Sequence, residues 1–198
     1  AGYGQSFIKV DGIESDDVIA KYSKIYGDDH LVMIIAEDKD VWQNIVDVRQ
    51  DGKKGIVSAC RYSKGESGFN QFDMIFSDFI LEKFGVQPYQ MADYLALMGD
   101  VSDNIPGVAG VGKAAAKKLL TEYGNISNIL IAAEEGEIKG KQRENLLKGK
   151  EDLIFSKKLT LPFLDFELPD IGELKPSNDL AIRYEAQKIV PPTLKWSF

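Results

Sequence analysis

The run Leu31-Val32-Met33-Ile34-Ile35-Ala36 constrains this chain more than any other feature. An unbroken apolar stretch of that length suits a β-strand buried on both faces, which is the environment of a parallel sheet. The segment before it has a different period. Ser15 is a suitable N-cap, Val18, Ile19, Tyr22 and Ile25 recur at helical spacing, and Gly27 follows as a stop. Ser6–Val10 reads as a short strand ahead of that helix, and Ile56–Tyr62 as another strand after Ala36. Strand, helix and buried strand in succession predict an α/β core with a mainly parallel sheet.

Further along, the pattern changes. Lys64–Asn70 is polar and glycine-bearing and reads as a loop, and from about Asp73 the spacing becomes helical. Met91–Met98, Lys113–Tyr123, Ile126–Glu135 and Gln142–Lys148 each read as helices, with Val101–Val111 a glycine-rich turn region between the first two. Pro162, Pro169, Pro176, Pro191 and Pro192 divide the remainder into extended pieces. The expected division is therefore an α/β core over residues 1–80, a helical lobe over 81–165 and an extended tail over 166–198. At 198 residues and 44% hydrophobic, the chain can bury one good core and a small second lobe.

No apolar run reaches the roughly 18 residues that a membrane crossing needs, and the N-terminus lacks a signal-peptide pattern. The single cysteine, Cys60, excludes an intramolecular disulfide framework and suits a reducing compartment. A cytoplasmic protein of a bacterium or a phage-infected cell is the expectation.

The net charge of −7 argues against a nucleic-acid partner until its distribution is considered. Residues 11–47 hold ten acids against Lys21, Lys24 and Lys39, whereas residues 113–158 hold ten Lys or Arg against seven acids. An acidic metal site beside a basic DNA track would look like this, and so would two unrelated solvated surfaces.

The acids fall in three tight blocks. Glu14, Asp16 and Asp17 open a helix; Asp38 and Asp40 lie just past the strand Leu31–Ala36; Asp100 and Asp103 follow a helix end. Taken singly, the first block complements a helix dipole and the third suits a turn. The second lies where open α/β sheets bind ligands, beyond the carboxyl ends of strands. Taken together, packed carboxylates repel one another unless a cation joins them. Hard oxygen donors select Mg²⁺ or Mn²⁺, and no His/Cys set has zinc spacing. Two ions roughly 4 Å apart can clamp the attacking and leaving oxygens of a phosphodiester.

The stretch Asn104-Ile105-Pro106-Gly107-Val108-Ala109-Gly110-Val111-Gly112 runs directly into Lys113-Ala114-Ala115-Ala116-Lys117-Lys118. Glycines permit sharp turns and leave amides open to a phosphate, the helix N-terminus adds its positive end, and Lys113 and Lys117 share one helix face. The glycines alone would equally suit a plain helix-turn-helix connection.

From Leu95 through Met98-Gly99-Asp100-Val101-Ser102-Asp103-Asn104-Ile105-Pro106-Gly107 to Lys113, the chain resembles the helix-three-turn-helix signature of flap endonucleases and 5′-3′ exonucleases. It is especially similar to bacterial and phage 5′ nucleases and to the 5′ nuclease domain of DNA polymerase I. Gly12-Ile13-Glu14-Ser15-Asp16-Asp17 resembles that family's Gly-Val-Glu-Ala-Asp-Asp block, and Ala36-Glu37-Asp38-Lys39-Asp40 its strand-end Asp-Lys-Asp block. The three blocks occur in the family's order, and the resemblance covers roughly residues 6–165.

The resemblance implies a PIN-like, Rossmann-like core and hydrolysis of DNA phosphodiesters by metal-activated water with two Mg²⁺ or Mn²⁺ ions. It implies that Glu14, Asp16 and Asp38 hold the inner, chemistry-bearing ion directly or through water, that Asp17 and Asp40 support that set or the space between the ions, and that Asp100 and Asp103 help hold the second ion or its water shell. Ser102 and the turn carbonyls from Val108 to Val111 would take a monovalent cation, K⁺ in this family. Gly107, Gly110 and Gly112 would approach the DNA backbone; Lys113, Lys117, Lys118 and Lys141 would grip it, with Lys139 and Arg143 extending the track. The implied substrates are DNA with a 5′ flap, a 5′ overhang or a nick, bound without sequence readout and weakened by salt.

The family's opening strand, with its metal-binding Asp, and its helical arch have no counterpart here. The expectation is one piece of a longer or split protein, its N-terminal part on another polypeptide, or an excised fragment, with an unpaired sheet edge or a gap where that strand would lie. The alternative is a non-catalytic DNA-binding module. A two-component phosphatase or receiver-type domain also gathers acids at strand ends, but it needs neither the glycine hairpin nor the lysine-bearing helix. Among other residues, His30 lies at a loop-to-strand junction as the sole histidine. Cys60 and Trp42 read as core, Trp196 lies in the tail, and Arg49–Lys54 reads as a hairpin turn.

Overall fold

The structure, a computed structural model, describes residues 8–47, 53, 55–64 and 70–169. Among them lie three strands and seven α-helices. Helix α1 (Ser15–Tyr26) precedes strand β1 (Leu31–Ile35); β2 (Ile56–Lys64) and β3 (Asn70–Ile75) follow. The helical part comprises α2 (Ser77–Phe84), α3 (Met91–Met98), α4 (Lys113–Tyr123), α5 (Ile126–Glu135), α6 (Gly140–Lys148) and α7 (Lys150–Thr160). The α/β class is as expected.

The sheet has the order β1-β2-β3. β1 pairs with β2 in parallel, Leu31 opposite Ile56 and Ile35 opposite Cys60, while β2 pairs with β3 antiparallel, Ala59 opposite Ile75. The β1–β2 pairing is parallel, as expected, but the expected burial of this strand on both faces is not met, since Leu31 and Ile35 are exposed. The antiparallel strand is new: Asn70–Ile75 occupies ground that reads as the end of a loop and the start of a helix. Apolar residues on both faces of that strand, Phe72 and Met74 on one and Ile75 on the other, blur its period-2 signal.

One face of the sheet carries Ile34, Val57, Ala59 and Ile75, all buried in the main core with Trp42, Ile45, Leu95 and Leu97. Each such side chain contributes about 1.5–3 kcal/mol when fully removed from water. The other face is different. Leu31 and Ile35 are 70% and 69% exposed, and Ile56 and Met74 are also exposed. Among the described residues, β1 has a strand neighbour on one side only.

The helix ends follow from local chemistry. α1 has Glu14, not Ser15, at its N-cap, and Asp16 and Asp17 complement the dipole in its first turn. Its last turn closes with Gly27 N–H donating to the Ser23 carbonyl. A carboxylate from the segment between β1 and β2 caps α2: Ser77 N–H donates to Asp47 Oδ2 at 2.7 Å. Asn125 caps α5 by accepting from Asn128 N–H.

α3, α4 and α5 span the expected residues, and α6 begins two residues before Gln142. α7 has no clear sequence signature because its buried stripe includes Ser156 and Thr160 beside Leu153. Polar groups hold it instead: Thr160 Oγ1 donates to the Ala92 carbonyl at 3.0 Å, and Lys157 Nζ lies 2.8 Å from Asp93 Oδ1 on α3. Of the expected strand Ser6–Val10, the described residues Ile8–Val10 are not in a strand. The expected turn Arg49–Lys54, apart from Lys53, and the tail beyond Pro169, with Trp196, lie outside the described residues.

Candidate metal centre and nucleic-acid interface

The fold gathers six of the seven predicted acids into two groups. Glu14, Asp16 and Asp17 each offer a carboxylate oxygen, and these oxygens lie within 4.8 Å of one another; the same holds for Asp40, Asp100 and Asp103. The first group stands at the start of α1. The second combines the end of the segment after β1 with the turn after α3, residues sixty positions apart in sequence. Glu14, Asp16, Asp17 and Asp40 line one small polar cleft with Gln43, Asn44 and Thr160. Asp38 is exposed and belongs to neither group. Its Oδ1 accepts from Asp40 N–H at 3.0 Å, so it sets the backbone that presents Asp40.

The electrostatics of the second group are those of crowded carboxylates. Burial, with repulsion from Asp38, Asp103 and Asp100, outweighs the nearby Lys39 and pushes the Asp40 carboxyl up to about 7. Asp40 Oδ1 is buried without a hydrogen-bond partner among the described residues. Asp100 behaves oppositely. Burial pushes it up, but hydrogen bonds from Lys39 and Ser102 outweigh this and hold it below the usual carboxylate range. Its Oδ1 accepts from Ser102 N–H at 3.1 Å and Ser102 Oγ–H at 2.5 Å, and Lys39 Nζ lies 2.6 Å from Oδ2. Hard oxygen donors and a buried orphan carboxylate oxygen fit a divalent cation of the Mg²⁺ or Mn²⁺ type.

Asp17 has a second engagement. Its Oδ1 accepts from Phe163 N–H at 2.7 Å, which ties the segment after α7 to α1. Gln43 Nε2 donates to the Thr160 carbonyl at 3.0 Å and closes the same side of the cleft.

The glycine-rich turn is built on a backbone crossing. Asp100 and Ile105 exchange two backbone hydrogen bonds of 2.8 Å each, and Val108 N–H donates to the Leu97 carbonyl. Asn104 adopts φ 56°, and Gly99, Gly107 and Gly110 also have positive φ. A Cβ at Gly107 would lie 2.5 Å from Gly99 N and 2.6 Å from the Met98 carbonyl carbon, so only glycine fits there. Val108 and Val111 bury their side chains in the core, and Val111 N–H donates to the Val108 carbonyl. Asn145 Nδ2 donates to the Ala109 carbonyl at 2.7 Å. Ser102 Oγ, expected at a monovalent cation, is turned into Asp100.

Gly112 is the N-cap of α4, and nothing stands within 4 Å of the place a side chain would take. The first turn of α4 carries no acid, and its leading N–H groups have no intrahelical acceptors. Lys113, Lys117 and Lys118 are exposed on α4, and Lys139 and Lys141 at the start of α6. Arg143 departs from that track: its Nε donates to the Ala133 carbonyl at 2.7 Å and caps the end of α5. Lys83, which sequence reasoning missed, lies near Lys113. Its ammonium lies 5.3 Å from the Trp42, Phe79 and Phe84 rings, and burial with the charges of Arg61 and Lys113 lowers its pKa. A lysine in the last turn of an amphipathic helix gives no sequence signal of that neighbourhood. Lys39 and Asn145 were also missed; a lone lysine between two aspartates was the available clue to the first.

Comparison with known proteins adds to this geometry. Residues 86–178 match the family described as 5′-3′ exonuclease, C-terminal SAM fold. The chain is 32% identical over 186 residues to a 5′-3′ exonuclease of Aquifex aeolicus, covering 87% of this chain and 57% of that protein. It is 33% identical over 171 residues to DNA polymerase I of Borreliella burgdorferi, covering 86% of this chain and 17% of the polymerase. Among solved structures it is similar to a mutant T5 5′-exonuclease, with a TM-score of 0.60 and 26% identity over 76% of this chain and 56% of that one. It is equally similar, at 0.60 and 26%, to the bacteriophage T5 D15 flap endonuclease in a pseudo-enzyme-product complex with DNA and metal ions. That match covers 76% of this chain and 50% of the other. A further T5 5′-exonuclease structure, with a TM-score of 0.58 and 27% identity over 76% of this chain and 51% of the other, holds divalent zinc. The chain thus spans just over half the length of the exonuclease it matches and under a fifth of the polymerase. Its α/β fold with a helical lobe is similar to that of T5 5′-exonuclease.

Proposed function

We propose that this chain, which carries the C-terminal SAM fold of the 5′-3′ exonuclease family over residues 86–178, is the C-terminal part of a metal-dependent, structure-specific 5′ nuclease. The observation that carries the reading is the convergence of Asp40, Asp100 and Asp103, from distant segments, on one point beside the cleft that Glu14, Asp16 and Asp17 line. Duplex binding alone gains nothing from that convergence.

In this reading Glu14, Asp16 and Asp38 would hold the inner Mg²⁺ or Mn²⁺ ion, Asp38 through its second oxygen because Oδ1 accepts from Asp40 N–H; Asp17 and Asp40 would support that set or the space between the ions, and Asp100 and Asp103 would help hold the second. Bound there, the ions supply Lewis-acid polarisation of the phosphodiester and of the water that attacks it. The chain's own residues do the positioning. Asp38 fixes the Asp40 backbone, Ser102 orients Asp100, and the 17–163 and 43–160 hydrogen bonds hold the cleft wall. Gly107, Gly110 and Gly112 would bring backbone to the duplex phosphates, with Lys113, Lys117, Lys118 and Lys141 beside them; Ser102, once released from Asp100, and the carbonyls of the Val108–Val111 turn would hold K⁺. The substrates are DNA with a 5′ flap, a 5′ overhang or a nick. Residues 1–80 form the core, 81–165 the DNA-binding lobe and 166–198 the tail.

A second reading rests on a specific observation. Among the described residues β1 pairs on one side only, and this, with the exposed Leu31 and Ile35, supports a sheet completed by a further strand, without which the chain binds DNA but does not cut it. The test is cleavage of a 5′-labelled flap DNA by the purified chain with Mg²⁺ or Mn²⁺, beside Asp40→Asn. Cleavage that disappears in Asp40→Asn supports the nuclease. Binding without cleavage supports the completed-sheet reading, and absence of DNA binding contradicts both.

A further inference from the structure

Asp100 is held by two sets of donors. Ser102 occupies its Oδ1, and the ammonium of Lys39 lies 2.6 Å from Oδ2 and 4.0 Å from Asp40 Oδ1. The Asp100 side chain is only 8% exposed, so these contacts take up most of its accepting capacity. The third acid, Asp103, is exposed beside them. A positive charge therefore already stands among the oxygens that a divalent ion would use. Two cations a few ångströms apart repel strongly once partly desolvated, so both cannot rest on Asp100. Of the two donors only Lys39 can leave easily. Ser102 sits two residues from Asp100 in the same turn, whereas Lys39 has a flexible four-carbon stem and is 31% exposed.

We propose that Lys39 is a built-in counter-cation for the Asp40–Asp100–Asp103 group. It neutralises and shapes the group when no divalent ion is present, and it must leave Asp100 when one binds. Lys39 is a positioning residue in this scheme: it sets how tightly metal is held and keeps the metal-free acids from repelling each other apart. The inference rests on the metal reading above.

The test is Mn²⁺ titration of the wild-type chain, Lys39→Met and Lys39→Arg, with melting temperatures in EDTA and in Mn²⁺. Lys39→Met should melt lower than wild type in EDTA and bind Mn²⁺ roughly tenfold more tightly, the order expected for removing one nearby unit charge. Lys39→Arg, which keeps the charge, should bind Mn²⁺ as weakly as wild type. A measurement on the wild-type chain needs no variant to fold. The rate at which an amine-reactive reagent acylates Lys39, read by mass spectrometry, should rise when Mn²⁺ is added. Equal Mn²⁺ affinity in wild type and Lys39→Met, or an acylation rate indifferent to Mn²⁺, overturns the proposal. A wild-type chain that binds no Mn²⁺ refutes the metal reading itself.

Discussion

Gly107 crosses the backbone of Gly99 so closely that a methyl group on Gly107 would come within 2.5 Å of the Gly99 nitrogen. This crossing fixes the turn after α3, and the turn in turn aims Asp100 toward Asp40 and presents Gly112 at the head of α4. One steric fact thus ties the acid group to α4, the helix proposed to face DNA. Gly107→Ala meets both the clash and a φ of 67°, and should cost roughly 2–4 kcal/mol. Gly112→Ala, with open space and φ −91°, should leave the melting temperature within a few degrees of wild type. Thermal melts of the two variants side by side check this; equal losses would contradict the crossing.

Stability should depend on pH in two separate windows. Asp40 titrates near 7 in the fold against 3.8 as the unperturbed value, so the folded state binds its proton more tightly than the unfolded state. That stabilisation is full below about 3.8 and is lost as pH rises toward 7. Asp100, held below the carboxylate range, adds stability above its unfolded value that is lost as pH falls through its lower folded one. In EDTA, melting temperatures should fall between pH 5 and pH 7.5. In Asp40→Asn that slope should largely vanish, and millimolar Mg²⁺ should offset it by binding the ionised form. A slope unchanged in Asp40→Asn would place its origin elsewhere.

Lys113 and Lys117 changed together to Ala should weaken duplex binding uniformly across sequences and lower the slope of log affinity against log salt by up to about two. Lys83→Ala should add a smaller effect of the same kind, because its ammonium shares the neighbourhood of Lys113. Filter binding or fluorescence anisotropy over a salt series reads both. Unchanged slopes would move the phosphate track off α4.

The Asn145 bond to the Ala109 carbonyl anchors the turn to α6. Asn145→Ala should cost about 1 kcal/mol of stability and weaken DNA binding without altering its salt slope, since no charge is removed. A changed slope would mean that Asn145 meets phosphate directly.

Much of this was legible in the chain itself. The apolar run Leu31–Ile35 declares itself a strand by its unbroken apolar sequence, although only Ile34 of it is buried, and the glycines around Lys113 declare their turns through backbone sterics. α3, α4 and α5 lie where their apolar spacing puts them. β3 and α7 were not legible, since the first ends in adjacent apolar residues on opposite faces, Met74 and Ile75, and the second buries Ser156 and Thr160. The three acid blocks were visible, but not their partition. That Asp40 joins Asp100 and Asp103 while Asp38 turns to the backbone depends on how the turn after α3 meets the end of β1, a long-range contact that no local pattern encodes. The roles of Lys39 in that group and of Arg143 as a helix cap depend on tertiary placement in the same way.

The most direct test of the account is whether these carboxylates hold divalent metal. Mn²⁺ binding to the purified chain, followed by electron paramagnetic resonance, should saturate, and the paired change Asp40→Asn with Asp100→Asn should abolish at least one site while the protein remains folded. Absence of saturable Mn²⁺ binding by the wild-type chain, or binding untouched by the paired change, would contradict a metal centre on these residues.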